Sequence, residues 1–232
     1  MNVQVKRPEA AALVERSPFE EIDVRENNYF PTQVFSVDLS EDVREPLNSH
    51  LLRMIYADRD ADTDGIQRSN FRALGGWHSQ NKLHKVPDYS GAVSLVKRLS
   101  DHICHANGYH HDYELSIGTM WSIINPPGSF NRAHIHPGCI WSGVYYVQTP
   151  ENCGKIEFLD PRTEQHINPP KFEPNKSRPK KTWSKVRITP KAGKMLIFPS
   201  WLYHGVDPNL SELDGPASDR VIISFNLNQK RK

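Results

Sequence analysis

The spacing of apolar residues predicts two helices in the first half of the chain. With Ser40 placed as the N-cap, one apolar helical face is formed by residues at every fourth position: Val43, Leu47, Leu51 and Ile55. A second periodic run covers 91–107, and Gly108 is well placed to end it in the left-handed conformation. We therefore expect a helical elaboration over 40–110, in which the polar stretch 58–69 is a connector.

Short runs of β-branched and aromatic residues replace the helical pattern from residue 112 onward. The predicted strands are 115–124, 139–148, 155–159, 186–188, 194–198, 201–206 and 220–227, with an earlier strand at 29–39. Many short strands at such spacing are typical of a sandwich or barrel. The fold class is therefore expected to be mainly β (α+β), with a jelly-roll core over 112–228 and the helices packed outside.

Length and composition fit an ordinary globular chain. The 232 residues are enough for one sizeable core, so we expect one domain over 29–232, preceded by an N-terminal arm over 1–28. The net charge of +2 indicates no particular partner. Three cysteines without regular spacing favour a reducing compartment and a cytoplasmic location. No apolar run approaches the length of about 18 residues that a membrane helix needs, so no membrane association is expected.

One stretch of the chain is strongly basic. Between Asn168 and Lys194 lie nine Lys and Arg residues and one acid, Glu173. Phe172 and Trp183 are its only aromatic residues, whereas a nucleic-acid surface interleaves basic and aromatic side chains. The stretch is therefore interpreted as a solvated loop or a lid, and no nucleic-acid partner is expected.

Three histidines are candidate metal ligands. His134 and His136 are two residues apart, so on a strand both imidazoles would project from the same face. Such a pair alone is more commonly two ordinary polar residues. His204 lies within a strand, turn and strand pattern over 193–206 that could return it beside the pair. Two ligands close in sequence and a third far downstream, on strands of one barrel, can build a metal site with open coordination positions.

Arg220 opens an apolar strand and is a candidate anion ligand. Arginine is seldom buried without a partner, and its planar fork suits a carboxylate. Ser224 shares the strand face of Arg220 and could assist it. A structural ion pair of Arg220 with Asp219 or Glu157 is the alternative interpretation.

Taken in order, these residues resemble the 2-oxoglutarate and iron(II)-dependent oxygenases, which have a His-x-carboxylate pair, a distal His and a later basic residue. The stretch Ser142-Gly-Val-Tyr-Tyr-Val147, followed by Gly154-Lys-Ile-Glu-Phe158, resembles the strand pair after the first ligands in prolyl-hydroxylase-type members. A closer likeness is to a family of bacterial and phage oxygenases of this class with no assigned substrate. The motifs of that likeness are Phe30-Pro-Thr32, Gly75-Gly-Trp-His-Ser79, Asn125-Pro-Pro-Gly128, His134-x-His-Pro137 and Ser142-Gly-Val-Tyr-Tyr146.

The resemblance implies a double-stranded β-helix that carries a 2-oxoglutarate-dependent dioxygenase of the hydroxylase type. Its cofactors would be Fe(II), held by the three histidines, and 2-oxoglutarate, whose tail carboxylate Arg220 would bind with help from Tyr146 and Ser224. Strand alternation places Tyr145 and Tyr146 on opposite faces, so only one of them points inward. The other partners would be O2 and an unknown substrate, either a small molecule or a peptide. No catalytic residue is expected beyond the metal and co-substrate ligands, and the oligomeric state is left open.

The chain departs from the resemblance at the second ligand, where His136 stands in place of Asp or Glu. Three neutral imidazoles leave the site one negative charge poorer, which should alter the affinity for iron and for an anionic co-substrate. Asp160 is the nearest carboxylate alternative. Two other functions therefore stay open: a non-catalytic jelly-roll protein that binds or senses metal, and a cupin-type dioxygenase with three histidines and no 2-oxoglutarate.

Further residues are candidates for the substrate pocket: Trp77, His78, Trp121, Asn125 and Asn131. For Trp77 a buried loop anchor is an equal alternative. The histidines around the end of the second helix, His102, His105, His110 and His111, could suggest zinc together with Cys104. Their spacing matches no standard zinc finger, so histidines that face solvent at a helix end are the favoured interpretation.

Overall fold

The computed structural model describes residues 25–66, 76–162, 167–174 and 176–232. The chain divides into two compact units, Met1–Thr32 and Gln33–Lys232. The described part of the first unit, residues 25–32, contains no helix or strand. Most of the predicted arm over 1–28 lies outside the described residues, as does Gly75, so the predicted domain bounds stay a prediction.

The described residues of the second unit form two antiparallel sheets. The strands are β1 (Phe35–Asp38), β2 (Trp77–His78), β3 (Tyr113–Asn125), β4 (Asn131–His134), β5 (Trp141–Gln148), β6 (Ile156–Leu159), β7 (Lys185–Ile188), β8 (Lys194–Pro199), β9 (His204–Val206) and β10 (Arg220–Arg231). The larger sheet has six strands in the order β1-β8-β5-β10-β3-β2, and the smaller has four in the order β4-β9-β6-β7. This is the jelly-roll arrangement that the strand pattern predicts.

Two helices, α1 (Glu41–Ala61) and α2 (Ser90–Ala106), precede most of the strands. Both were predicted, and Gly108, with φ of +63°, follows the end of α2 as expected. The prediction that a connector begins at residue 58 was wrong, because α1 continues through Ala61. Asp58 takes part in the helix despite its polarity, since its carboxylate accepts a 2.5 Å hydrogen bond from the Tyr89 hydroxyl.

Strand alternation divides the buried residues into two cores. One core joins the helices to the outer face of the larger sheet and includes Leu51, Val96 and Tyr145. The other lies between the two sheets and includes Tyr146 of β5 and Phe158 of β6. Neighbouring residues of β5 therefore enter different cores, which decides which side chains of the larger sheet face the smaller one.

Three predicted strand regions differ from the structure. The strand expected at 29–39 is limited to β1, and the strand expected at 201–206 begins only at His204, because a turn closes where Leu202 N–H bonds to the Pro199 carbonyl. β4 ends at His134, so His136 does not lie on the strand that the His-x-His spacing suggested. The two-residue strand β2 was not predicted, because its pairing with β3 is not visible in so short a stretch.

Candidate active site

The structure brings the three candidate histidines together. His134, the last residue of β4, pairs directly with His204, the first residue of β9. His136 lies two residues beyond β4, where its backbone N–H donates a 2.9 Å hydrogen bond to the Ser200 carbonyl. One ring nitrogen from each imidazole lies within 4.8 Å of the other two. Among the described residues no carboxylate belongs to this cluster, and Asp160 instead bonds Arg162 at 2.9 Å.

Hydrogen bonds fix the orientation of two of the imidazoles. His134 Nδ1 lies 2.7 Å from the Arg132 carbonyl, and His204 Nδ1 lies 2.8 Å from the Leu202 carbonyl. A carbonyl can only accept, so each Nδ1 carries the proton and each Nε2 keeps a lone pair for a metal. Such outer hydrogen bonds are the usual support of metal-binding histidines.

Stacking supports the third imidazole. The ring of His136 stacks on the indole of Trp121 at 6.0 Å between centroids, and the ring of His78 stacks on the same indole at 5.7 Å. The interplanar angles of 19° and 11° make a nearly parallel column of three rings. His136 therefore has a defined position although it lies outside regular structure.

Burial controls the protonation of His204. Its side chain is buried between the sheets, and desolvation lowers its pKa to about 3, with a smaller contribution from the neighbouring His134 and His136. The hydrogen bond to the Leu202 carbonyl opposes this shift. The imidazole of His204 is therefore neutral near pH 7 and needs to lose no proton before it binds a metal.

An inner cavity of about 70 Å³ lies between the sheets and contains the three histidines and Arg220 in its wall. Arg220 is only 1% exposed. Its Nη1 donates to the carbonyls of Cys153 and Asp207, whereas Nη2 has no hydrogen-bond partner. Burial lowers the pKa of the guanidinium, because the charged form is poorly solvated there. A buried cation with an unused donor is costly unless an anion joins it.

The alternative of a structural ion pair for Arg220 is contradicted. The carboxylate of Asp219 accepts a 2.8 Å hydrogen bond from the Tyr56 hydroxyl. Glu157 lies on β6, where it bonds Arg187 at 2.7 Å. Both carboxylates are thus engaged elsewhere, and Arg220 keeps its free donor inside the cavity.

The two predicted companions of Arg220 line the same cavity. Tyr146 and Ser224 contribute to its wall, together with apolar residues such as Val144 and Phe198. Tyr145 points to the other face of β5, where its hydroxyl donates to Asn48 Oδ1 on α1 at 2.5 Å. Burial raises the pKa of the Tyr146 hydroxyl, and the charge of Arg220 opposes this only in part, so Tyr146 stays protonated and can donate a hydrogen bond.

Gly154 makes the placement of Arg220 possible, and this gives a first prediction. A Cβ at Gly154 would lie 2.7 Å from Arg220 Nη1 and 2.8 Å from the Pro208 carbonyl, and φ is +90°. We expect Gly154→Ala to lower the free energy of unfolding by about 2–4 kcal/mol, measured by urea denaturation. Gly138→Ala is the matched control, because φ is +82° but a Cβ there meets no atom within 4 Å. Equal losses in both variants would show that the crowding around Arg220 is unimportant.

A wider outer cavity, of about 310 Å³, shares His134 and His136 with the inner one. Three of the predicted pocket residues line it: His78, Trp121 and Asn131. The sequence did not single out Asn81 and Thr119, which also line it, because neither belongs to a recognisable motif.

Trp77 and Asn125 line neither cavity, which corrects the prediction for these two residues. The indole of Trp77 packs in the core beside the helices and donates a 2.6 Å hydrogen bond to the Asp62 carbonyl, as the anchor alternative expected. Asn125 is fully buried at the end of β3, where Asn209 donates to its carbonyl at 2.9 Å and covers it.

The predicted surface histidines lie where the sequence suggested. His110 and His111 are exposed in the turn after α2, and their rings stack at 4.6 Å beside Asp112. Their ligand atoms and those of Asp112 lie within 4.8 Å of one another, but all three residues are exposed to solvent. Nothing in this turn supplies the enclosed tetrahedral surroundings of a structural zinc site.

Comparison with solved structures supports the fold. The Pseudomonas putida prolyl-4-hydroxylase superposes with a TM-score of 0.55 at 16% identity, covering 87% of this chain and 94% of that chain. HygX from Streptomyces hygroscopicus, solved with nickel and 2-oxoglutarate bound, has a TM-score of 0.53 at 15% identity and covers 85% and 82%. The viral collagen prolyl hydroxylase of Paramecium Bursaria Chlorella virus-1 has a TM-score of 0.51 at 12% identity and covers 84% and 94%. No curated protein sequence matches the chain.

The fold is thus the double-stranded β-helix of the 2-oxoglutarate and iron(II)-dependent oxygenases. Residues 119–226, which include the three histidines and Arg220, match the model of the family described as "Putative 2OG-Fe(II) oxygenase". This family match supports an enzyme of this kind. The cofactors of this class are Fe(II) and 2-oxoglutarate. No helix among the described residues is long and apolar enough to cross a membrane.

The residues present fit both cofactors. Three imidazole nitrogens within 4.8 Å of one another suit a divalent first-row metal. The partnerless Nη2 of Arg220 suits a carboxylate in the inner cavity.

Proposed function

We propose that this chain is a 2-oxoglutarate-dependent hydroxylase in which His134, His136 and His204 hold Fe(II). Arg220 would bind the tail carboxylate of 2-oxoglutarate in the inner cavity, with hydrogen bonds from Tyr146 and Ser224. The substrate would occupy the outer cavity, since both cavities meet at His134 and His136. A cytoplasmic location stays part of this proposal.

The observation that carries the proposal is the unused donor of Arg220. A guanidinium that is 1% exposed and has one nitrogen without a partner lies in the same cavity wall as the three histidines. A metal site alone would not need this costly group. A ligand that reaches both the metal and Arg220 needs a metal-binding end and a carboxylate end, and 2-oxoglutarate has both.

When bound, the iron and 2-oxoglutarate would couple the oxidation of 2-oxoglutarate by O2 to succinate and CO2 with the insertion of the second oxygen atom into a substrate C–H bond. The chain would orient the co-substrate and exclude water from it. Arg220 and Tyr146 orient the co-substrate, while Val144, Ile156 and Phe198 exclude water from the inner cavity. The hydrogen bonds at His134 and His204 keep their Nε2 atoms facing the metal.

The test is an anaerobic titration of metal-free protein with Fe(II) and then with 2-oxoglutarate. We expect the weak visible charge-transfer band of a chelated iron and 2-oxo acid complex. His136→Ala should abolish the band, whereas His111→Ala, an exposed histidine outside the cluster, should leave it unchanged. Succinate release with candidate substrates would follow as the second measurement.

The absence of a carboxylate from the histidine cluster favours one second candidate, a three-histidine dioxygenase without 2-oxoglutarate. Bound iron that gives no band with 2-oxoglutarate would support that candidate and contradict our proposal. Binding of iron and 2-oxoglutarate without any conversion of 2-oxoglutarate to succinate would instead favour a sensing function.

A further inference from the structure

The described wall of the outer cavity is polar and contains no charged side chain that would recognise an ion. Its wall includes Asn81, Thr119, Asn131 and Asn226. Among the described residues that line it there is no Lys, Arg, Asp or Glu. A charged group that enters a partly enclosed cavity without a counter-charge loses its hydration and gains little in return. The described side chains of the wall therefore offer no counter-charge to a charged substrate group.

Three of the side chains in this wall carry an unpaired polar atom. The side-chain oxygens of Asn81 and Asn131 and the indole Nε1 of Trp121 are buried and have no hydrogen-bond partner. Trp121 is held between His78 and His136, so its N–H cannot turn away without breaking the stacked column. Buried polar groups are nearly always paired, so unpaired ones in a cavity wall indicate the hydrogen bonds that a ligand would supply.

Two other polar residues of the wall, Thr119 and Asn226, already have hydrogen-bond partners. Asn226 donates a 3.0 Å hydrogen bond to Thr119 Oγ1 and accepts one of 2.8 Å from the Ser142 hydroxyl. These bonds hold the side chains of Thr119 and Asn226 in place without a ligand. The unpaired buried atoms are therefore two acceptors, the side-chain oxygens of Asn81 and Asn131, and one rigid donor, the indole N–H of Trp121. The amide N–H groups of the two asparagines are further donors.

We propose that the outer cavity recognises an uncharged amide or hydroxyl group of the substrate. Either group both donates and accepts hydrogen bonds, which matches the pattern of the wall. A carboxylate would have nothing to offer the two oxygens, and an ammonium would have nothing to accept from Trp121. This inference rests on the proposed function only in taking the outer cavity as the substrate site.

The test compares three probes that share a phenyl ring and differ in the charge of the attached group: benzamide, benzoate and benzylammonium. Their dissociation constants would be measured by ligand-observed NMR on the full chain, loaded with zinc and saturating 2-oxoglutarate so that no turnover occurs. We expect benzamide to bind at least about tenfold more tightly than either charged probe. Trp121→Phe, which keeps the ring and removes the N–H, should weaken benzamide binding about fivefold to tenfold.

A charge change gives the matched control. Asn81→Asp adds one negative charge to the wall and should shift the preference from benzamide to benzylammonium. Asn168→Asp makes the same change at an exposed position and should leave the order of the probes unchanged. Binding of benzoate or benzylammonium as tight as that of benzamide, no benzamide binding, or an unaltered order in Asn81→Asp would overturn the inference. The NMR signals of 2-oxoglutarate in the same samples report separately whether the proposed co-substrate binds.

Discussion

Arg220→Met is expected to raise the dissociation constant of 2-oxoglutarate by about 100-fold or more. The guanidinium is buried, so its interaction with a carboxylate would be poorly screened by water. Removing one partner of such a buried pair costs about 2–5 kcal/mol. The measurement is the anaerobic titration of the iron-loaded variant, followed through the charge-transfer band.

The same substitution should have little effect on folding, which separates a binding role from a structural one. The carbonyls of Cys153 and Asp207 lose a donor in Arg220→Met, but an unpaired buried charge is removed at the same time. We therefore expect the free energy of unfolding to fall by no more than about 2 kcal/mol. Arg220→Lys keeps the charge without the planar fork and should recover only part of the affinity. Unchanged 2-oxoglutarate affinity in Arg220→Met would contradict the assigned role.

His204→Ala is expected to lower the affinity for Fe(II) by at least about 100-fold. Loss of an outer hydrogen bond to a ligand already costs about 10–100-fold, and here the ligand itself is lost. His204 is also the most buried of the three imidazoles, so water cannot easily replace it. Isothermal titration of the anaerobic protein with Fe(II) would measure the change.

His110→Ala is the control for His204→Ala, because it removes an exposed imidazole from the second histidine cluster. It should leave the high-affinity iron site intact. If His110→Ala and His204→Ala weakened iron binding equally, the metal would not be held by the cluster between the sheets.

Much of the fold was visible in the sequence because its signals are local. The four-residue spacing of α1 and the alternation in β5 and β10 depend on a few neighbouring residues. Alternation predicts that only one of Tyr145 and Tyr146 faces the cavity, and the structure places Tyr146 there with Arg220. His204 could be predicted because a strand, a turn and a strand surround it.

Other parts of the site depend on contacts between residues far apart in sequence. Asn81 and Thr119 reach the outer cavity only because β2 joins the edge of β3. The stacking of Trp121 on His136 joins β3 to the segment after β4, and the spacing of these residues in the sequence does not predict it. Trp77 lies in the core beside the helices and His78 lines the outer cavity, because neighbouring residues of a strand point to opposite faces. The sequence alone does not show which of the two faces the cavity.

The position of β4 has a consequence for how the metal and the fold depend on each other. β4 has four residues and lies at the edge of the smaller sheet, where its partner is the three-residue strand β9. His134 and His204 face each other across this short pair, so a metal bound to both would fasten the edge strand to the sheet. By mass action, a metal that binds only the closed arrangement stabilises it by a free energy that rises with the logarithm of metal concentration above the dissociation constant. A chelator would then act as a local denaturant that frees the β4 edge while the larger sheet stays folded, and amide exchange along β4 would track the metal content of the protein.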